Sequence, residues 1–171
     1  VPIVYYVSPQ VWAWRRGRVR AMRDLVRRML VLFPFESAFY EAEGVPATFV
    51  GHPAAASRER ATRDVLLPRV GLDPRRPVVA LLPGSRVGEA GRLFPILLGA
   101  AKALRRTHPA VQFVVPKANT IPERFLEGIA ARAGIDGVAI CDDLYPAILE
   151  VADAGAVASG TATLDAALAG L

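Results

Sequence analysis

The sequence predicts an α/β fold built on parallel sheets with helices on their faces. Strand-like and helix-like stretches alternate along the whole chain, which is the pattern of a parallel sheet with crossover helices. Two of the strand-to-helix joints carry a glycine turn followed by polar residues, at Pro83-Gly84-Ser85-Arg86 and at Ser159-Gly160-Thr161. An apolar share of 53% over 171 residues supplies the core that such sheets need.

The elements follow in order. Residues 2–7, Pro-Ile-Val-Tyr-Tyr-Val, read as a strand with no turn or cap before it, so the chain is expected to start inside a fold. Ser8-Pro9 breaks it. Val19, Met22, Val26 and Met29 recur at helical spacing, which predicts an amphipathic helix over about 14–28. Its outer face is basic: Arg15 to Arg28 holds seven arginines and one acid, Asp24. That face is either solvated, or it meets anionic lipid headgroups with Trp12 and Trp14 at the interface. Nucleic acid is a third option, without a recognition motif to support it. Met29–Phe33 reads as a strand, and Pro34-Phe35-Glu36 as a helix start with an early proline and an acid in the first turn. Gly44 ends that helix, and Ala47–Val50 is a third strand. Gly51-His52-Pro53 closes this half; His52 is either a ligand-facing residue or a hinge, and the hinge is favoured.

Residues 54–76, rich in alanine and charge, read as one helix ending near Val70-Gly71. The strand 77–82 follows. Val87–Phe94 reads as a short helix, and Pro95 as the first residue of a longer one over 95–106, with Ile96, Leu97, Ala100, Ala103 and Leu104 facing inward. Strands are expected at Val111–Val115, Val138–Cys141 and Ala154–Ala158. Helices are expected at Ile121–Ala133, Leu144–Val151 and Thr161–Ala169.

Composition narrows the function classes. The longest apolar segments, Met29–Phe35 and Leu93–Ala101, are too short to span a bilayer. The opening residues have neither a basic start nor a small-residue cleavage site, so no signal peptide is expected. The net charge is +5, of which +3 falls on residues 1–52 and +2 on 53–171. The single Cys141 permits no internal disulfide and fits a reducing compartment. One cysteine and the distant His52 and His108 argue against a zinc site, and no metal or cofactor is expected.

The chemistry is expected at the two glycine turns. Gly84 lets a backbone approach a ligand closely, and the first-turn amides of the next helix have no intrahelical partners, so they suit an anion. Arg86 adds a fixed charge and a planar fork matched to phosphate oxygens. Ser159 and Thr161 offer hydroxyls that cap the helix or hold a phosphate. Asp165, four residues beyond Thr161, can accept hydrogen bonds from both hydroxyls of a ribose, as an acid does in dinucleotide folds. The bland readings are a βα turn with a surface arginine, and an N-cap followed by an acid that complements the helix dipole. Two such loops at the carboxyl ends of strands in one sheet favour a shared ligand site.

An ordered set of motifs resembles the lipid-A-disaccharide synthase family. The set comprises Tyr6-Val7-Ser8-Pro9 with Val11-Trp12-Ala13-Trp14-Arg15; Phe33-Pro34-Phe35-Glu36 with Phe39-Tyr40; Phe49-Val50-Gly51-His52-Pro53; Leu81-Leu82-Pro83-Gly84-Ser85-Arg86 with Glu89; Val114-Val115-Pro116 with Asn119; and Ala158-Ser159-Gly160-Thr161-Ala162-Thr163-Leu164. The resemblance implies a GT-B glycosyltransferase, made of two Rossmann-like domains. Residues 1–52 are then the last part of the acceptor-side domain, and 53–171 the first part of the nucleotide-sugar domain. The implied reaction transfers 2,3-diacylglucosamine from UDP-2,3-diacylglucosamine to 2,3-diacylglucosamine 1-phosphate, releasing UDP. The implied setting is the cytoplasm, peripheral on the inner face of the cytoplasmic membrane of a Gram-negative bacterium, with no nucleic acid partner. Gly84, Ser85 and Arg86 would face the UDP diphosphate, with Arg86 stabilising the leaving group. Ser159, Gly160 and Thr161 would line the same pocket, and Asp165 would meet the ribose where members usually have glutamate. The general base is expected before Val1, so residues 1–171 by themselves are expected to be inactive. The rivals are other GT-B enzymes on UDP-N-acetylglucosamine-type donors (the peptidoglycan N-acetylglucosaminyl transferase, the UDP-N-acetylglucosamine 2-epimerase), which would lack the Trp12-Ala13-Trp14-Arg15 stretch. A nicotinamide-dependent reductase is disfavoured. Gly84, Gly88 and Gly91 do not make G-x-G-x-x-G, and the next strand ends in Pro116-Lys117, where NAD binding wants an acid. A non-enzymatic basic module is disfavoured too.

Overall fold

The computed structural model describes residues 1–53 and 61–171. Two compact units emerge, Val1–Arg58 and Glu59–Leu171. Each holds a parallel sheet flanked by helices, the α/β class that the alternation predicts.

In the first unit, β1 (Ile3–Tyr6), β2 (Val26–Val31) and β3 (Ala47–Phe49) form a sheet in that order, all parallel. The single helix expected over 14–28 is absent. Instead α1 (Val11–Trp14) stops at Arg15, a 3-10 turn covers Arg16–Arg18, and α2 (Val19–Leu25) ends where Val26 opens β2. Val26 and Met29, which fit the helical spacing, are buried strand residues. Pairing on both sides, to β1 and β3, outweighs the local helical period. The arginines therefore spread over a turn, a short helix and a strand rather than one face. α3 (Pro34–Ala42) starts at its proline as expected.

The second unit has the sheet order β6-β5-β4-β7, again parallel. Its strands are β4 (Val78–Leu82), β5 (Gln112–Lys117), β6 (Val138–Asp142) and β7 (Ala154–Val157). Its helices are α4 (Arg63–Arg69), α5 (Val87–Thr107), α6 (Phe125–Ala133), α7 (Tyr145–Val151) and α8 (Thr161–Ala169). The central strand feeds two cores in alternation. Leu81 joins Phe94, Leu98, Phe113 and Val115 under α5 and α6. Val78, Ala80 and Leu82 join Leu66, Leu67, Ile148 and Ala166 under α4, α7 and α8.

Two helix expectations need correction. The helix read over 54–76 is observed only as α4. Residues 54–60 lie outside the described residues, and Thr62 is extended (φ −92°, ψ 123°), so the helix starts at Arg63. The helices over 87–94 and 95–106 are one continuous α5, with Pro95 inside it. Pro95 lacks the N–H that would bond the Gly91 carbonyl, but it is exposed, so water can take that carbonyl. The apolar stripe falls only partly where expected: Leu97 and Leu104 pack against the core. The buried residues are Ala90, Phe94, Leu98 and Ala101, whereas Ile96 is 67% exposed and Ala100 and Ala103 are exposed. Among the described residues no helix is long and apolar enough to cross a membrane.

Candidate functional site

The order of the second sheet creates the site. From β4 the chain crosses by α5 to β5 on one side. From β6 it returns by α7 to β7 on the other side of β4. The helices that follow β4 and β7 thus pack on opposite faces, α5 in one core and α8 in the other. Adjacent strands whose connections diverge leave a crevice at their carboxyl ends, where ligands of open α/β sheets bind.

A cleft of about 490 Å³ opens there. The loop after β4 contributes Gly84, Ser85 and Arg86. The loop after β7 contributes Ser159, Gly160 and Thr161, and Asp165 follows from the second turn of α8. All seven residues singled out from the sequence line this one cleft. Pro116 and Ala118, at the end of β5, complete a wall.

Local geometry explains why these turns suit an anion. Gly84 has φ +98°, a conformation that costs a residue with a Cβ. A Cβ there would also collide with the Glu89 carboxylate, so the glycine makes room for that side chain. Gly160 has φ +151° and ψ −154°, a region open essentially to glycine alone. Arg86 is the N-cap of α5 and Gly160 that of α8, and among the described residues neither helix start has a side-chain cap. The hydroxyl caps considered for Ser159 and Thr161 are therefore not formed; Thr163 Oγ1 instead donates to the Gly160 carbonyl at 2.6 Å. The Glu89 and Thr163 amides bond the Arg86 and Gly160 carbonyls at 3.0 and 3.1 Å, which leaves the Val87, Gly88, Thr161 and Ala162 amides to a ligand. Thr120 Oγ1 bonds the Ser85 carbonyl, which ties the β5–α6 loop to the first turn.

Two polar residues of the cleft have no role assigned from the sequence. Glu89 enters only as part of a motif. Tyr145, the first residue of α7, donates its hydroxyl to Asp165 Oδ2 at 3.0 Å. Burial and the neighbouring Asp165 carboxylate push the Tyr145 phenol well above its ordinary range, so it stays a donor. Nothing local in the sequence signals that pair, because a crossover separates its members. Lys117, beyond Pro116, is held by Asp142 at 2.6 Å and donates to the Ile121 carbonyl at 3.3 Å. Burial pushes the Cys141 thiol up to about 11, which leaves it a poor nucleophile.

In the first unit, Glu36 is 2% exposed and anchors the loop after β1. Its Oε1 accepts from Ser8 Oγ at 2.7 Å and Trp12 Nε1 at 3.3 Å; its Oε2 accepts from the Leu32 and Phe33 amides at 3.1 and 3.0 Å. Trp12 packs edge-on against Phe35, Phe35 stacks with Phe33, and the His52 ring lies 6.0 Å from that of Phe33.

Comparison with known proteins shows the family of the chain. The family model described as lipid-A-disaccharide synthetase matches residues 1–171. The chain is 48% identical, over its whole length, to a lipid-A-disaccharide synthase of Geobacter sulfurreducens and to one of Geobacter metallireducens. It is 44% identical over 98% of its length to the enzyme of that name in Anaeromyxobacter dehalogenans. In each case it spans 44% of the relative's own length. A match over every residue, with both glycine turns at the mouth of one cleft, makes this chain a member of the lipid-A-disaccharide synthetase family.

Proposed function

We propose that the chain carries the UDP-sugar site of a GT-B glycosyltransferase that makes the lipid A disaccharide. The donor is UDP-2,3-diacylglucosamine and the acceptor is 2,3-diacylglucosamine 1-phosphate; the products are the disaccharide 1-phosphate and UDP. The observation that carries this reading is the convergence of two uncapped helix starts and Arg86 on one cleft at the switch point between β4 and β7. As the sugar C1–O bond breaks, negative charge builds on the departing diphosphate. Fixed amides at Ser85–Val87 and Thr161–Ala162, with the Arg86 guanidinium, oppose that charge without reorganising. Ser159 and Thr161 offer hydroxyls to the phosphate oxygens, and Asp165 accepts the ribose hydroxyls. Residues 1–52 belong to the acceptor side, and no general base is assigned among the residues of this chain. Titration of the full chain with UDP and NADP, followed by an assay for disaccharide from the two acylated sugars, tests the reading. UDP binding by residues 1–171 is expected, and product formation only by the full-length enzyme, since no general base is assigned within this chain; NADP binding without UDP binding, or disaccharide formation by residues 1–171 alone, would reject it.

The same reading puts the protein in the cytoplasm, peripheral on the inner membrane. What supports it is the exposed basic and aromatic surface of the first unit: Trp14 is 80% exposed, and Arg15, Arg18 and Arg20 are exposed as well. Arg16 is committed to Glu43 at 2.8 Å and lies over the Phe39 ring, and Arg28 donates to Thr48, so these two are poor probes. Replacing Arg15, Arg18 and Arg20 together by glutamine is expected to weaken binding to anionic vesicles by at least about tenfold, given ~1 kcal/mol per basic residue near such a surface. Salt should weaken wild-type binding in the same way. Equal vesicle binding by wild type and variant would assign these arginines to a solvated face.

A further inference from the structure

Tyr145 and Asp165 arrive at the cleft wall from successive helices of the sheet, α7 and α8. A hydrogen bond from the phenol to the carboxylate joins them there. Tyr145 is half-buried, so its ring is fixed by the surrounding core while its hydroxyl reaches the carboxylate. An aspartate side chain alone turns freely about its last torsion, which is broad. A phenol proton on one oxygen narrows that freedom and favours one orientation of the carboxylate beside the cleft. A ligand hydroxyl then meets an acceptor already aimed at it, with less ordering cost at that moment.

We infer that Tyr145 is a positioning residue for the ribose subsite: its hydroxyl holds the Asp165 carboxylate in the orientation that accepts the nucleotide's ribose hydroxyls. The inference rests on the UDP-sugar reading of the cleft. It goes beyond that reading by assigning the discrimination between ribose and deoxyribose to a pair of side chains. Asp165 makes the ligand contact, and Tyr145 acts only through it.

The test compares UDP with 2′-deoxy-UDP by calorimetric titration of the full chain. Wild type should prefer UDP. Tyr145→Phe should weaken UDP by about five- to tenfold, the scale of one hydrogen bond to a charged group. It should weaken 2′-deoxy-UDP less, so that the preference shrinks by about threefold or more. In an Asp165→Ala background, Tyr145→Phe should change UDP affinity by less than about twofold, because residues that act as one unit do not add. Equal losses for both nucleotides, or an undiminished effect of Tyr145→Phe in the Asp165→Ala background, would overturn the role and leave Tyr145 as a support of the fold. UDP binding with no preference over 2′-deoxy-UDP would overturn the positioning role while the UDP reading stands. No UDP binding at all would overturn both.

Discussion

Arg86→Ala in the full-length enzyme is expected to lower turnover of the UDP-sugar by at least about tenfold, the scale of removing one charge-assisted hydrogen bond from the transition state. The residue is well placed for a clean experiment. It is the N-cap of α5 with an extended backbone (φ −102°, ψ 135°), and its side chain makes no capping bond. It is exposed at the mouth of the cleft. Truncation should therefore leave the helix start and the fold within about 0.5 kcal/mol of wild type, as for other surface changes away from such features. A drop in rate could not then be charged to unfolding. Because the opposed charge develops as the diphosphate departs, the effect should fall mainly on kcat, with a smaller change in KM. Arg86→Lys should recover part of the rate, since it restores the charge but not the planar fork. Unchanged turnover at saturating donor, together with unchanged inhibition by UDP, would remove Arg86 from the leaving-group site.

What the sequence disclosed and what it hid divide along a physical line. The two strand–glycine–helix joints were legible because each is local: a short apolar run, a residue free to take positive φ, and a helix start lie within about ten residues of one another. Parallel order at the level of fold class was legible for the same reason, since every βα unit repeats the pattern. The 14–28 segment misled because its apolar residues fit a helical period, while β1 and β3, which flank Val26–Val31 on both sides, decided between helix and strand. The Pro95 boundary misled because a proline at an exposed interior position costs one hydrogen bond to a carbonyl that water can reach, and not the helix. Pairs formed across the fold were not legible at all. Tyr145 meets Asp165 only because β7 returns to the far side of β4, which places α7 and α8 in one core. The cleft residues drawn from the sequence were therefore found one loop at a time, and the tyrosine that joins two crossovers was not.

Glu36→Ala is expected to destabilise the first unit by about 2–4 kcal/mol, because it strands several buried donors at once. From the sequence, Glu36 is an acid in the first turn of a helix, worth a few tenths of a kcal/mol against the helix dipole. In the fold it holds Ser8, Trp12 and the Leu32 and Phe33 amides together, and Ser8 and Trp12 lie 28 and 24 residues away. Alanine leaves the Trp12 indole N–H and both amides without an acceptor, and water would have to enter a site in which Glu36 is 2% exposed. Glutamine should cost less, and the reason is directional. Its amide oxygen can keep the two backbone bonds, and its NH2 can donate to the Ser8 hydroxyl, which accepts as well as donates. Only the Trp12 N–H then goes without its acceptor, so a destabilisation of about 1 kcal/mol is expected. Chemical denaturation of the two variants against wild type, followed by Trp fluorescence, measures both steps. The Trp12 loop should loosen first, with its edge-on packing against Phe35 giving way before the sheet opens. Equal stability of wild type and Glu36→Ala would mean that the loop after β1 is held by packing alone, through Val11 and through the Tyr40 hydroxyl on the Pro9 carbonyl.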